Sequence, residues 1–187
     1  MVSAGVPLPP MGVDTGFENV ATERLWLRRS RPEDAERIAS YRSDPDVARY
    51  QGWERTDPDG VRAEIEQMAR RAPGDPGWVQ LSLVDRASGQ LVGDVGISPA
   101  AGEPGVLKVG YTVAPEFQGR GYATEAVRAL AGYAFGTLGA SVVRIYADAD
   151  NVASHRVAEK AGFRLIERFE HREGSEVWFG VRYERRP

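Results

Sequence analysis

The stretch from Leu107 to Phe135 constrains the fold most. Leu107–Val113 reads as a strand, Ala114-Pro115-Glu116 as a tight turn, and Gly121–Phe135 as a helix. Ala123, Ala126, Val127, Leu130, Ala131 and Ala134 fall on one face of that helix. A helix striped in this way has to bury its apolar face. A strand leading straight into it supplies a sheet as the surface to cover.

The rest of the chain fits such a plan. Arg24–Arg29 alternates Leu25 and Leu27 with basic residues and predicts a first strand. Pro32 suits the first turn of a helix that carries Ala35, Ile38 and Ala39. Residues 43–57, rich in Asp, Pro, Gly and aromatics, read as a loop. Asp57-Pro58 supplies a cap and a first-turn proline for a second helix with Val61, Ile65, Met68 and Ala69 in a stripe. Trp78–Val84, Leu91–Ile97 and Leu107–Val113 predict an antiparallel meander. Val142–Ala147 reads as a strand, and Val152–Ala161 as a helix stopped by Gly162. Phe163–Glu170 and Val177–Tyr183 read as a closing strand pair. The order β-α-α-β-β-β-α-β-α-β-β is most simply buried as a mixed sheet flanked by helices, an α/β (α+β) fold.

With 187 residues the chain suits one domain, expected over 21–187. Pro7, Pro9, Pro10, Gly5, Gly12 and Gly16 make residues 1–20 read as a mobile N-terminal arm. That segment has neither a basic n-region nor an apolar h-region, so no signal peptide is expected. No run approaches the length of a membrane-crossing helix. A formal charge of −3 gives no electrostatic footprint for nucleic acid or acidic lipid. Arg24, Arg28, Arg29 and Arg31 form a local basic cluster that reads as a solvated strand end. The absence of cysteine removes disulfides, thiol ligands and thiol nucleophiles, and is compatible with a cytoplasmic setting. His155 and His171 are too few for a histidine-rich metal site, so no metal is expected.

The chemistry concentrates at Gln118-Gly-Arg-Gly-Tyr-Ala-Thr124. The first N–H groups of a helix have no internal partner and sit at the positive end of its dipole. A glycine-rich entry lets the backbone curl round a phosphate. Gly119 and Gly121 give that freedom, Ala123 permits close approach, and Arg120 adds a positive charge. A lone Gly-x-Gly also occurs in ordinary strand-to-helix turns. The dinucleotide fingerprint would need a third glycine where Ala123 and Thr124 stand, and a phosphate-loop ATPase would need Gly-Lys-Ser/Thr.

Gln118-x-x-Gly121-x-Ala123 resembles the Gln/Arg-x-x-Gly-x-Gly/Ala signature of the GNAT N-acetyltransferase superfamily. Asn151-x-x-Ser154, followed by Gly162-Phe163, resembles its RimJ/RimL-like branch. The resemblance spans about residues 22–185. It implies a mostly antiparallel sheet with a V-shaped splay between two parallel strands, here Leu107–Val113 and Val142–Ala147. It also implies acetyl-CoA as co-substrate. Tyr111, Thr112 and Val113 would then pair with pantetheine through main-chain atoms, with an amide near Val113 facing the thioester carbonyl. Gln118, Gly119, Arg120, Gly121, Tyr122, Ala123 and Thr124 would hold the pyrophosphate. Asn151 would bond the pantetheine arm, or act only as a helix cap. Ser154 would serve the leaving thiolate, although many members use a tyrosine there. His155, one helical step of about 100° further on, is read as structural.

Attack by a neutral amine on a thioester requires that the ammonium first lose a proton. Asp94, in mid-strand beside Gly93, is the candidate base. Trp53 and Glu54 lie in the loop expected to face the acceptor. The branch favours the alpha-amine of a protein or peptide, with small aminated compounds as the alternative. The family also allows a homodimer. A degenerate domain that binds CoA as a sensor, or a nucleotide-dependent enzyme, are the competing readings.

Overall fold

A computed structural model of the chain describes residues 17, 19–53, 56–173 and 176–187. Strands β1 (Val20–Ala21) and β2 (Leu25–Arg29) come first. They lead through a short turn of 3-10 helix at Pro32–Asp34 into α1 (Ala35–Arg42). Helices α2 (Pro45–Ala48) and α3 (Pro58–Met68) follow. The meander is β3 (Val79–Asp85), β4 (Leu91–Pro99) and β5 (Val106–Val113). Then come α4 (Tyr122–Gly136), β6 (Val142–Asp148), α5 (Val152–Lys160), β7 (Arg164–Glu173) and β8 (Glu176–Arg185).

The strands form one sheet in the order β1-β2-β3-β4-β5-β6-β8-β7. Every neighbouring pair is antiparallel except β5 and β6. One face packs on α4. Leu25, Leu27, Leu81, Val95, Ile97 and Val109 meet Ala126, Val127, Leu130, Ala131 and Ala134 there. The small side chains of α4 let the helix lie close to the strands. On the other face, Ile38 and Tyr41 of α1 pack with Val61 and Ile65 of α3. The expected mixed sheet with helices on both sides is the observed one.

The departures have local causes. The loop expected over 43–57 contains α2. Its start repeats the chemistry of the next helix: Asp44 Oδ1 accepts from the amides of Asp46 (2.9 Å) and Val47 (3.3 Å), and Pro45 follows. A four-residue helix is too short to show a period. Asp57 caps α3 as expected, accepting from the Gly60 amide at 2.8 Å. The arm boundary anticipated at residue 20 lies inside the packed chain. Phe17 is 4% exposed and meets Tyr133 edge-on at 5.4 Å, and Val20 pairs with Leu27. The rest of the expected arm, residues 1–16 and 18, lies outside the described residues.

The basic cluster is not a solvated end either. Arg28 and Arg29 are buried. Arg28 makes a two-pronged pair with Asp34 at 2.6 and 2.8 Å, and Arg29 donates to the Arg71 carbonyl at 2.7 Å.

Candidate active site

The parallel ladder between β5 and β6 is short. Val106, Leu107 and Lys108 pair with Val142, Val143 and Arg144, and there it ends. Beyond it, β5 still pairs with β4 as far as Gly93 and Val113, and β6 still pairs with β8 as far as Asp148 and Gly180. The seam is therefore open between two strands that are each held on their far side. Main-chain groups along it are left for another extended chain to bond. At the wide end of the seam β4 and β5 approach closely: Gly93 pairs with Val113, and a Cβ on Gly93 would run into the Thr112 carbonyl oxygen.

At the end of β5 the Gln118 side chain turns back and donates to the Val113 carbonyl at 3.0 Å. Gly119 and Gly121 follow with φ of +74° and +82°, and Gly121 is the N-cap of α4. The left-handed conformation at both positions explains the two glycines. Among the described residues, no protein acceptor bonds the amides from Gly119 to Thr124. They form a run of donors at the positive end of a helix, which fits a pyrophosphate. The Thr124 hydroxyl is likewise without a protein partner among the described residues. The Arg120 side chain does not point freely at the cradle. It donates to the Glu116 carbonyl at 2.8 Å and lies over the Phe117 ring, so it contributes main chain. The Tyr122 hydroxyl donates to Asp85 at 2.8 Å.

Across the seam, Asn151 caps α5, its Oδ1 accepting from the Ser154 amide at 3.0 Å. The cap leaves its side-chain N–H groups for a ligand. The Tyr111 hydroxyl donates to the Ser154 carbonyl at 3.1 Å and lies 2.7 Å from Ser154 Oγ, a contact in which either oxygen can be the donor. Burial pushes the Tyr111 phenol up to about 12, against the opposing pull of the Ser154 bond. His155 is bonded away from the seam, to the Tyr183 hydroxyl and the Asp148 carbonyl, in keeping with a structural role.

Thr112 and Asp94 are register partners, so they share the opposite sheet face. Asp94 is 0% exposed. Tyr41 donates to one of its carboxylate oxygens and Gln80 to the other. Burial raises its pKa despite Arg42 and these two bonds. Both oxygens of the candidate base are thus engaged by donors inside the protein, and its side chain is closed off from solvent. Gln51 reaches over it to the Thr112 hydroxyl at 3.3 Å. Trp53 sits in the same region beneath the Arg42 guanidinium, 5.1 Å away. Glu54 lies outside the described residues. Among the described residues there is no group of three or more side chains suited to a metal ion, and no helix long and apolar enough to cross a membrane.

Residues 24–164 match the acetyltransferase (GNAT) domain. The chain belongs to the GNAT acetyltransferase family. It is accordingly an acyl-CoA-dependent N-acetyltransferase with acetyl-CoA as co-substrate. It is 28% identical over 148 residues to an uncharacterized N-acetyltransferase, YoaA, of Bacillus subtilis (strain 168), covering 79% of this chain and 84% of that one. A GNAT-family acetyltransferase from Bacillus anthracis superposes with a TM-score of 0.79 at 25% identity, over 90% of this chain and 98% of that one. A ribosomal-protein-S5-alanine acetyltransferase from Vibrio fischeri shares the fold, with a TM-score of 0.77 at 18% identity over 91% and 97% of the two chains. The RimJ/RimL-like character suggested by Asn151, Ser154 and Gly162-Phe163 agrees with a putative ribosomal N-acetyltransferase, YdaF, of Bacillus subtilis (strain 168), 30% identical over 152 residues that cover 79% of this chain and 81% of that one.

For a GNAT enzyme the structure adds side chains that the sequence did not single out. Tyr111 was expected to act through main chain, yet its phenol holds Ser154. Tyr41, Gln80 and Gln51 order the face behind Thr112. Arg24 reaches the glycine loop. Each of these contacts joins residues far apart in the chain, and no spacing rule announces them.

Proposed function

We propose that this GNAT enzyme transfers the acetyl group of acetyl-CoA to the alpha-amine of a protein or peptide, by direct attack within a ternary complex. The observation that carries the reading is the open seam, which runs from the unbonded amides of the α4 entry to the Tyr111–Ser154 pair. Pantetheine lies along β5 at Tyr111, Thr112 and Val113, and its pyrophosphate rests on Gln118 to Thr124. The amine nitrogen attacks the thioester carbonyl carbon. An amide near Val113 stabilises the negative charge that develops on the oxygen. The carbon–sulfur bond breaks, and the thiolate takes a proton from Ser154 Oγ, which Tyr111 orients and which regains a proton, through water, from the nitrogen that has been acetylated. Asn151 bonds the pantetheine arm.

The acceptor enters on the face of Thr112, Gln51 and Trp53. Asp94 orders that face through Tyr41 and Gln80, and water carries off the ammonium proton. The ribosomal-protein activity named for the Vibrio fischeri protein supports a protein acceptor. Small aminated compounds are the alternative. A cytoplasmic setting fits such a substrate. The exposed apolar side chains Val177, Trp178 and Phe179 support a homodimer, which sedimentation tests.

Calorimetric titration with acetyl-CoA, with ATP and NAD as controls, tests the donor site. Thiol release with a panel of peptides, aminoglycosides and polyamines then tests the chemistry. Selective binding with thiol release is expected. Binding without release from any amine overturns the enzymatic reading in favour of a CoA sensor.

A further inference from the structure

The glycine loop is gripped from outside by Arg24, which precedes β2. One guanidinium nitrogen, NH1, donates to the Arg120 carbonyl at 2.9 Å, across 96 positions of sequence. Nε and NH2 meet Glu125 Oε2 at 2.7 and 2.6 Å. The guanidinium carbon lies 4.8 Å from the centre of the Tyr122 ring. A Cβ on Gly121 would come within 3.4 Å of NH2. Glu125 is itself fixed, because Oε1 also accepts from the Arg24 amide at 2.8 Å and from the Thr22 hydroxyl at 2.5 Å. Burial would raise the Glu125 pKa, but these bonds hold it below the usual carboxylate range.

Two physical consequences follow. In a trans peptide the carbonyl oxygen and the following N–H point to opposite sides. Holding the Arg120 carbonyl against Arg24 therefore turns the Gly121 N–H away from it, where no protein group accepts it. Glu125 also places a negative charge in the first turn of α4, beside the site that has to accept an anion. The Arg24 guanidinium offsets that charge at contact distance.

We infer that Arg24 is a positioning residue for the donor's pyrophosphate, acting through the Arg120–Gly121 peptide and through neutralisation of Glu125. This rests on the reading of residues 118–124 as the pyrophosphate site. A surface ion pair of merely structural value would contribute little to stability and would not distinguish one donor from another.

The test compares acetyl-CoA with S-acetylpantetheine, which has the thioester arm but no pyrophosphate. Calorimetric titration with acetyl-CoA, alone and in competition with S-acetylpantetheine, gives both Kd values for the full-length wild type, R24Q, E125Q and G121E. The expected result is a fall in the preference for acetyl-CoA on the order of tenfold in R24Q, about one hydrogen bond to a charged group. E125Q removes the negative charge that Arg24 neutralises, so its preference for acetyl-CoA is expected to hold or rise. An unchanged preference in R24Q with a loss in G121E overturns the role of Arg24 and leaves the loop reading standing. An unchanged preference in all three overturns both. Should R24Q not fold, R24K decides in its place: the ammonium cannot hold both Glu125 and the Arg120 carbonyl with the guanidinium's forked geometry, and an unchanged preference in R24K overturns the inference.

Discussion

The Ser154 hydroxyl on α5 lies 2.7 Å from the Tyr111 phenol on β5, so the pair spans the open seam. A buried phenol that keeps its proton to about pH 12 is a dependable donor. When it donates to Ser154 Oγ, the serine proton is free to point into the seam.

Ser154→Ala is expected to lower kcat on the order of a hundredfold, the lower range for a lost general acid. Tyr111→Phe keeps the ring and is expected to cost about tenfold in kcat, with little change in KM for acetyl-CoA. The two losses should not multiply in the double variant, because both act on one proton. Steady-state kinetics checks this, and equal rates for wild type and Ser154→Ala would remove the serine from the mechanism. The sign of the Tyr111 shift adds a second check. The phenol stays neutral below its raised pKa, so wild type and Tyr111→Phe should share the same rate profile from pH 7 to about pH 10.

Asp94 offers a test by stability. Its folded pKa is raised above the ordinary value of 3.8, chiefly by burial. For a group raised in this way, the stabilising contribution is complete below the unfolded pKa and is lost as pH rises through the folded one. Relative to Asp94→Asn, wild type should therefore lose unfolding free energy as pH rises from 4 towards 8, as measured by urea titration. Asp94→Ala should destabilise by about 2–5 kcal/mol at low pH, because Tyr41 and Gln80 would each lose a buried partner, and by less as pH rises.

Gly121→Ala should cost about 1–2 kcal/mol in stability, since its φ of +82° is strained for any residue with a Cβ. Gly121→Glu adds bulk and negative charge at the helix entry. It should abolish measurable acetyl-CoA binding in calorimetry while circular dichroism stays that of the wild type.

Gly93→Ala tests the β4–β5 pairing at the wide end of the seam. The new methyl would meet the Thr112 carbonyl oxygen, a main-chain atom that no rotamer change can move. Thermal unfolding should show a loss of at least about 1–3 kcal/mol. Acetyl-CoA affinity should fall with it as β5 shifts.

Local chemistry was legible in the sequence. Asp57 as a cap, the glycine pair 119 and 121, the stripe on α4 and the meander all rest on neighbours within a few positions, where propensity and period decide. Partnerships across the fold were not. Tyr111 and Ser154 are 43 positions apart, Tyr41 and Asp94 are 53 apart, and Arg24 and Glu125 are 101 apart. Asp94 shows the cost of that blindness. An acid in mid-strand stands out in the sequence, but its two donors come from α1 and β3. Only their joint arrival shows that its carboxylate is enclosed. β1 and α2 were missed for a different reason, being shorter than any period they could display.

The three-pair ladder between β5 and β6 has a consequence for the life of the protein. A sheet that stops so early at its middle is finished by whatever extended molecule lies in the gap, so the donor completes the architecture as well as feeding the reaction. Under mass action a ligand at about 100 times its Kd adds roughly 2.7 kcal/mol to the folded state. An extract rich in acetyl-CoA would then hold a population more resistant to unfolding and proteolysis than a depleted one, and the supply of the substrate would set the abundance of its enzyme.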